Sequence, residues 1–371
     1  MLEVKGGTAM LTFILAASLL AAGCACEHGI GLTGDQDADQ DASDETIQGS
    51  WDPPIENLGE PGWGESTEPW CPGITPHRMA FSLWSRPGAV FANVVDNEGD
   101  CAHDVVNHLF VNRGRGWSVF YEESLLAPGA FMFANIRGTT DDRIFAWMNS
   151  NYPLATIADV GLQMSDFKPS SVFVMNDTLA WACTDVGLLT WDGDDWSRVL
   201  HEPCTGQIWA DESSLFATAE DGLINELGDG GWIVHDTGLW SGVGIIWGFS
   251  RTDLWASSGL ALLHYDGVDW EMIDWPSMDV GAPNAIRQLW GNDGVLFMNT
   301  GQQLLRLEDG VFETIGVWPG TDSGDTTFSI VQMWGNSPTE LFLAVEDFEY
   351  TRPGCGDYFL LWWDGHDFHW F

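Results

Sequence analysis

The chain of 371 residues carries 13 Lys and Arg against 55 Asp and Glu, a formal charge of −42, together with 22 Trp and 43 Gly. So acidic a protein is repelled by nucleic acid and by anionic lipid surfaces, which excludes both as partners. It contains no Cys-x-x-Cys pair, Gly-x-Ser-x-Gly elbow, phosphate-binding loop or dinucleotide fingerprint, so zinc and nucleotide chemistry have no support in the sequence.

Residues 1–23 read as an export signal. Lys5 is the only base, Leu11 to Ala22 is apolar, and the small residues Ala21, Ala22 and Gly23 precede Cys24. The apolar run is short for a membrane-spanning helix. Ala-Ala-Gly-Cys resembles a bacterial lipobox, and that resemblance implies a diacylated Cys24 as the mature N-terminus and a lipid anchor in the membrane. The match is imperfect: Leu20 sits one place early, Ala21 takes the leucine slot, and Glu3 offsets Lys5. Plain secretion is the alternative. Ala25 is not the Asp that favours inner-membrane retention, which implies the outer membrane or cell surface, with the periplasm as second choice.

Residues 24–69 read as an acidic, flexible tether. No Lys or Arg occurs from Glu27 to Glu68 and apolar residues are sparse, so the segment cannot bury enough surface to offset its ordering entropy. Asp35, Asp37, Asp39 and Asp41 alternate, but Gln40 and Thr46 stand where a Ca²⁺-binding loop needs Gly and Glu. A solvated spacer is the better reading. Trp51, Trp63 and Trp70 are the exceptions and are expected to pack on the first repeat of the domain that follows.

Residues 70–371 read as one repeat domain. The clearest unit is Ile246 to Trp270, where runs at Ile245–Trp247, Asp253–Ala256 and Ala261–Tyr265 are separated by turn residues. A fourth run starts at Trp270, after the hairpin signal Asp266-Gly267. First runs of further copies begin around Leu83-Trp84, Ile136-Arg137-Gly138, Val172-Phe173, Ile208-Trp209, Leu289-Trp290-Gly291 and Met333-Trp334-Gly335. That makes seven copies at a period of about 40 residues, the spacing of propeller blades. The third-to-fourth-strand hairpin resembles the Asp-box hairpin of many propellers. The whole unit resembles the Trp-Gly … Tyr-Asp-Gly-x-x-Trp repeats of bacterial propeller lipoproteins, from about Ala80 to the C-terminus. The expectation is an all-β, seven-bladed β-propeller of four-stranded antiparallel blades. Most Trp residues should then pack between blades, leaving Trp275 and Trp318 in connectors as candidate sugar platforms.

Copies one and seven are longer than the rest. Trp84 to Gly114 and Trp334 to Gly365 exceed the equivalent Trp247 to Gly267, through added residues around Asn97 to Asn107 and Glu346 to Gly356. In a closed ring of seven these copies are neighbours, so the additions are expected to meet as long loops on one face, where function concentrates. The candidate binding residues there are Asp100, His103, Asp104, His108, Asp347, Glu349, Tyr350 and Arg352. The alternative is a clamp on the ring seam.

Five cysteines follow Cys24 and Cys26, and an exported protein can keep disulfides. Second-to-third-strand loops and inter-blade linkers share a face, which pairs Cys183 with Cys204. Cys71 and Cys355 are the equivalent pair across ring closure, and Cys101 competes for either partner. Metal chemistry is thin. Cys101, His103, Asp104 and His108 cluster, yet residues five apart on a strand face opposite sides. His366, Asp367 and His369 fall on the last hairpin, and the recurring Asp192, Asp266 and Asp364 read as turn formers. The few scattered bases argue against a sialidase-like arginine cluster. No catalytic set, metal site or cofactor is assigned, beyond Ca²⁺ held weakly by acidic loops such as Asp322 to Asp325. The function expected is an exported, lipid-anchored binding or scaffold module for a protein or glycan ligand. The alternatives are a glycan-active hydrolase or lyase on the long-loop face, and a purely structural envelope component.

Overall fold

A computed structural model gives the fold; it describes residues 77–97, 105–114, 116–124, 133–148, 151–158, 161–204, 206–228, 230–276, 285–317, 326–349 and 356–370. Seven four-stranded sheets form in chain order, each a meander of consecutive antiparallel strands. The domain is a seven-bladed β-propeller. Blade 5 holds the clearest repeat, with strands Ile245–Ser250, Asp253–Ser258, Ala261–Tyr265 and Trp270–Ile273. First strands pack side by side around the axis, and that of blade 7 (Thr326–Ser337) packs on that of blade 1 (His77–Arg86). Among the described residues no strand is exchanged at the seam, because blade 7 is completed by its own Phe368–Trp370.

Two columns of side chains explain why short blades hold one another. In the first, a Trp of one blade lies over a Gly of the next. A Cβ added at Gly138 would stand 2.6 Å from the Trp84 ring, one at Gly248 2.7 Å from Trp209, and one at Gly335 2.8 Å from Trp290. The Trp and the Gly of this dipeptide are therefore inter-blade devices: at three interfaces an indole faces forward onto the bare backbone of the next blade. Second strands contribute the filling, with Phe91, Phe145, Phe216 and Phe297 all fully buried, each stabilising by about 1.5–3 kcal/mol.

The second column is polar and stands two residues before the aromatic position. Ser82 Oγ accepts from Ile136 N at 2.7 Å, Gln207 Oε1 from Ile246 N at 3.0 Å, and Gln288 Oε1 from Met333 N at 2.7 Å. Ser171 Oγ donates to Gly206 O at 2.7 Å. Gln332 Oε1 accepts from Leu83 N, so the seam uses the same bond as the interior interfaces. Between blades 5 and 6, where Ile245 takes the polar position, Trp247 Nε1 donates instead to Gly291 O at 3.0 Å. Each bond satisfies a buried main-chain group that would otherwise be costly to leave unpaired.

The added residues of blades 1 and 7 are built differently from the expectation. They lengthen the ladder rather than forming loops throughout: Asn97 pairs with Val105, and Glu346 to Phe348 pair with Tyr358 to Gly356. The result is two adjacent hairpins, Ala89–Asn97 with Val105–Asn112 and Glu340–Glu349 with Gly356–Trp363, extending toward the same face.

Gly335→Ala tests the Trp-on-Gly packing. The new methyl would meet Glu340 O at 2.7 Å as well as the Trp290 ring, so main chain must shift. Chemical denaturation should show a loss of about 1–3 kcal/mol. An unchanged midpoint would mean that this contact is slack.

Candidate functional site

The second-to-third-strand turns and the inter-blade linkers lie on one face of the ring; the other two sets of turns lie on the opposite face. On the first face, the linker from blade 4 to blade 5 is held at several points. Gly238 N donates to Asp236 Oδ1 at 2.8 Å, Thr237 Oγ1 donates to Gly222 O at 2.6 Å, and Gly244 N donates to Ser257 O at 3.0 Å. Leu239 and Val243 anchor it in the core between those blades. Between the anchors, Trp240 is 98% exposed. Ser241 Oγ donates to Ser258 Oγ at 3.2 Å, which sets the Trp240 loop beside the turn bearing Leu260, itself 54% exposed. Trp275 is half-buried on that turn, its Nε1 donating to Leu260 O at 3.0 Å. Asp236 stands at the start of the loop, and Glu220 and Asp221 lie on the neighbouring turn whose Gly222 accepts from Thr237. A pinned loop displaying an indole amid anions can stack on a sugar or hold a cationic or aromatic group.

Most residues expected at the seam face lie outside the described ones: Cys71, Asp100, Cys101, His103, Asp104, Tyr350, Arg352 and Cys355; so do the lipidation candidate Cys24, Trp318, Asp322 to Asp325, the export signal and the tether. Asp347 and Glu349 fall on the second strand of blade 7, and their side chains are not described. His108 is described. It stands on the third strand of blade 1, its Nδ1 3.3 Å from Glu122 Oε2 at an angle outside hydrogen-bond geometry, its ring stacked on Phe110. It belongs to the blade ladder. Among the described residues, no group of three His, Cys, Asp or Glu could hold a metal ion.

Cys183 and Cys204 meet with Cα atoms 4.8 Å apart, a spacing a disulfide spans. Cys204 N also donates to Thr184 O at 2.9 Å. Asn93 does the equivalent work in blade 1, its Nδ2 donating to Phe133 O at 2.7 Å, and Asn299 in blade 6 donates to Ile330 O at 3.2 Å. The cysteine pair thus occupies the place where blades 1 and 6 tie the second strand to the chain entering the next blade.

Two arrangements look like reactive chemistry and are architecture. Glu226 is buried between blades 4 and 5; Oε2 meets His235 Nε2 at 3.0 Å and Oε1 accepts from Arg251 Nε at 2.7 Å. Both carboxylate oxygens are used, and the bond to Glu226 raises the Arg251 guanidinium above its ordinary value. In the central channel, Arg137 of blade 2 lies 3.9 Å over the Trp334 ring of blade 7, which meets Trp247 of blade 5 edge-on at 5.7 Å. Side chains from non-adjacent blades therefore occupy the channel at that level. Desolvation pushes Arg137 down to about 9, so it stays charged at neutral pH.

The Asp-Gly hairpins lie on the opposite face and behave as turns. Asp192, Asp266 and Asp364 each accept two main-chain N–H bonds through Oδ1, at 2.8–3.0 Å. Gly193, Gly267 and Gly365, all at positive φ, abut Thr178, Thr252 and Thr339 of the first turn in the same blade. These N–H donors hold all three carboxyls below their usual range, Asp364 at about 2 with help from His369. A carboxyl that titrates lower folded than unfolded stabilises fully above its unfolded pKa and loses that stabilisation as pH falls through its folded value. The unfolding midpoint should therefore drop between about pH 4 and about pH 2. Replacing Asp192, Asp266 and Asp364 together by Asn, which keeps the acceptor, should flatten that drop; an unchanged profile would contradict the assignment.

With the fold class defined, comparison with known proteins adds shape only. No protein-family model and no curated protein matches the chain. Solved structures do. A catalytically inactive virginiamycin B lyase from Staphylococcus aureus bound to quinupristin shares 11% identity over 73% of this chain and 96% of that one, with a TM-score of 0.53. YCF48 from Cyanidioschyzon merolae shares 12% over 75% of this chain and 100% of that one, at 0.51. The WD40 propeller domain of Doa1 shares 8% over 72% and 89%, at 0.50. At these identities the likeness is one of fold.

Sequence reasoning missed Trp240. Its signal was a tryptophan outside the repeat frame in a Gly- and Ser-rich linker, Thr237 to Gly242, the same criterion that drew attention to Trp275.

Proposed function

We propose that the protein is an exported, lipid-anchored binding module that displays a propeller at the cell envelope and takes a protein or glycan ligand on the linker face. The observation that carries the ligand surface is Trp240, fully exposed on a loop held by Leu239, Val243 and four hydrogen bonds. Exposed indoles on rigid supports are what recognition surfaces are built from, since little entropy is lost when they are covered. The extended hairpins of blades 1 and 7 reach toward the same face from across the ring. The fold itself does not choose an activity, because propellers include the lyase above as well as WD40 domains. Export and anchoring rest on the apolar run before Cys24 and its lipobox-like setting, with Cys183 bonded to Cys204 in the mature protein.

Two experiments test this. Intact-mass and cysteine-linkage mapping of protein from its native envelope should show a diacylglycerol-modified Cys24 and a Cys183–Cys204 bond. An unmodified N-terminus would make the protein a soluble secreted one. Parallel glycan and peptide arrays with wild type and Trp240→Ala should lose their hits in the variant, by about 2 kcal/mol or more for a central aromatic. Hits that survive unchanged would remove this surface from the function.

A further inference from the structure

On the face opposite Trp240, adjacent blades meet in clefts, and the protein fills three of them with its own arginines. Between blades 1 and 2, Arg86 and Arg113 reach Asp142 at 2.6 and 2.7 Å. Between blades 2 and 3, Arg143 lies 5.0 Å from the Trp191 ring centre and donates to Gly193 O at 2.8 Å. Between blades 4 and 5, Arg251 pairs with Glu226. The recurring recipe is a guanidinium held by an aromatic wall, a carboxylate or a turn carbonyl.

Between blades 5 and 6 the receptor is present without an arginine among the described residues. A cleft of about 270 Å³ is walled by Phe249, Trp255 and Phe312, floored by Leu307, and flanked by Asp253 and Asp309. The first turn of blade 5, Arg251 and Thr252 between the paired Ser250 and Asp253, follows a bulge between Gly248 and Ser250, and its Arg251 turns back to blade 4. Blade 6 makes the same connection without a bulge, through Asp293 at φ 51° and Gly294 at φ 78° between the paired Asn292 and Val295. Neither turn residue is long or basic enough to enter. The wall is also oriented: Trp255 Nε1 and His264 Nε2 both donate to Asp253 Oδ1, at 3.1 and 2.9 Å, and the two rings lie tilted against each other at 4.3 Å. Among the described residues, Asp253 Oδ2 accepts no further side-chain hydrogen bond.

We propose that this cleft is a second binding site, which takes an arginine side chain from a basic partner polypeptide. The guanidinium pairs with Asp253 against the Trp255 and Phe312 rings, and the aliphatic stem covers Leu307. The choice of occupant follows from the neighbouring interfaces, where this fold places arginine among the same kinds of groups. It follows also from charge, since a chain at −42 draws in a cationic peptide.

The probe is N-acetyl-Gly-Arg-Gly-amide, titrated into the mature protein while indole N–H resonances are followed by NMR, with Trp255 assigned from Trp255→Phe. The Trp255 signal should shift saturably. The citrulline counterpart, neutral and nearly isosteric, should bind about tenfold more weakly, as should the arginine peptide to Asp253→Asn. Trp240→Ala should leave the titration unchanged, so failure here is separable from failure of the linker-face reading. Equal binding of the citrulline peptide, or indole shifts that spare Trp255, would overturn the proposal. The citrulline comparison keeps this true even where Asp253→Asn fails to fold.

Discussion

The structure depends on a contact that recurs at most interfaces of the ring: a side chain of one innermost strand bonds to the main chain of the next blade, and at three interfaces a Trp two residues later lies on the next blade's glycine. A single four-stranded sheet cannot bury both faces, so each blade is stable only by what its neighbours cover. The polar bond sets the height of one blade against the next, and the Trp-on-Gly contact sets how closely they approach. Gln332 with Leu83 N shows that the seam obeys the same rule. Closure therefore requires neither strand exchange nor a covalent bridge among the described residues, and Ser85 Oγ to Asn336 Oδ1 at 2.9 Å adds to it.

That uniformity explains how much was legible in the sequence. Blade 5 could be outlined from its alternation and its Gly and Asp turns, and the third strand, Ala261–Tyr265, matches the sequence reading at both ends. Other parts were hidden for physical reasons. Gln207, Gln288 and Gln332 look like solvent-facing positions, yet their partners are main-chain groups of another blade, which no local pattern announces. Asn97 and Val105 sit in a Gly- and Asp-rich stretch that reads as loop, but cross-strand pairing carries the ladder through to them. Trp240 is one indole among many, and only the folded chain separates it from those between blades.

Function follows from departures from the repeat. Where a blade keeps the rule, its side chains are consumed by neighbours, as Glu226, His235 and Arg251 are. Where it departs, surface is freed: the linker after blade 4 turns Trp240 outward, and the cleft between blades 5 and 6 holds no arginine among the described residues. The chain's acidity bears on both proposed surfaces, since it repels anions and concentrates cations around an open recess.

The central claim is that the seam between blades 7 and 1 is held as firmly as any interior interface. Native-state hydrogen exchange measures this directly. The Leu83 amide, bonded to Gln332, should exchange as slowly as the Met333 amide bonded to Gln288 and the Ile246 amide bonded to Gln207. Leu83 exchanging orders of magnitude faster than the other two would show a ring that opens at its ends and would contradict the account.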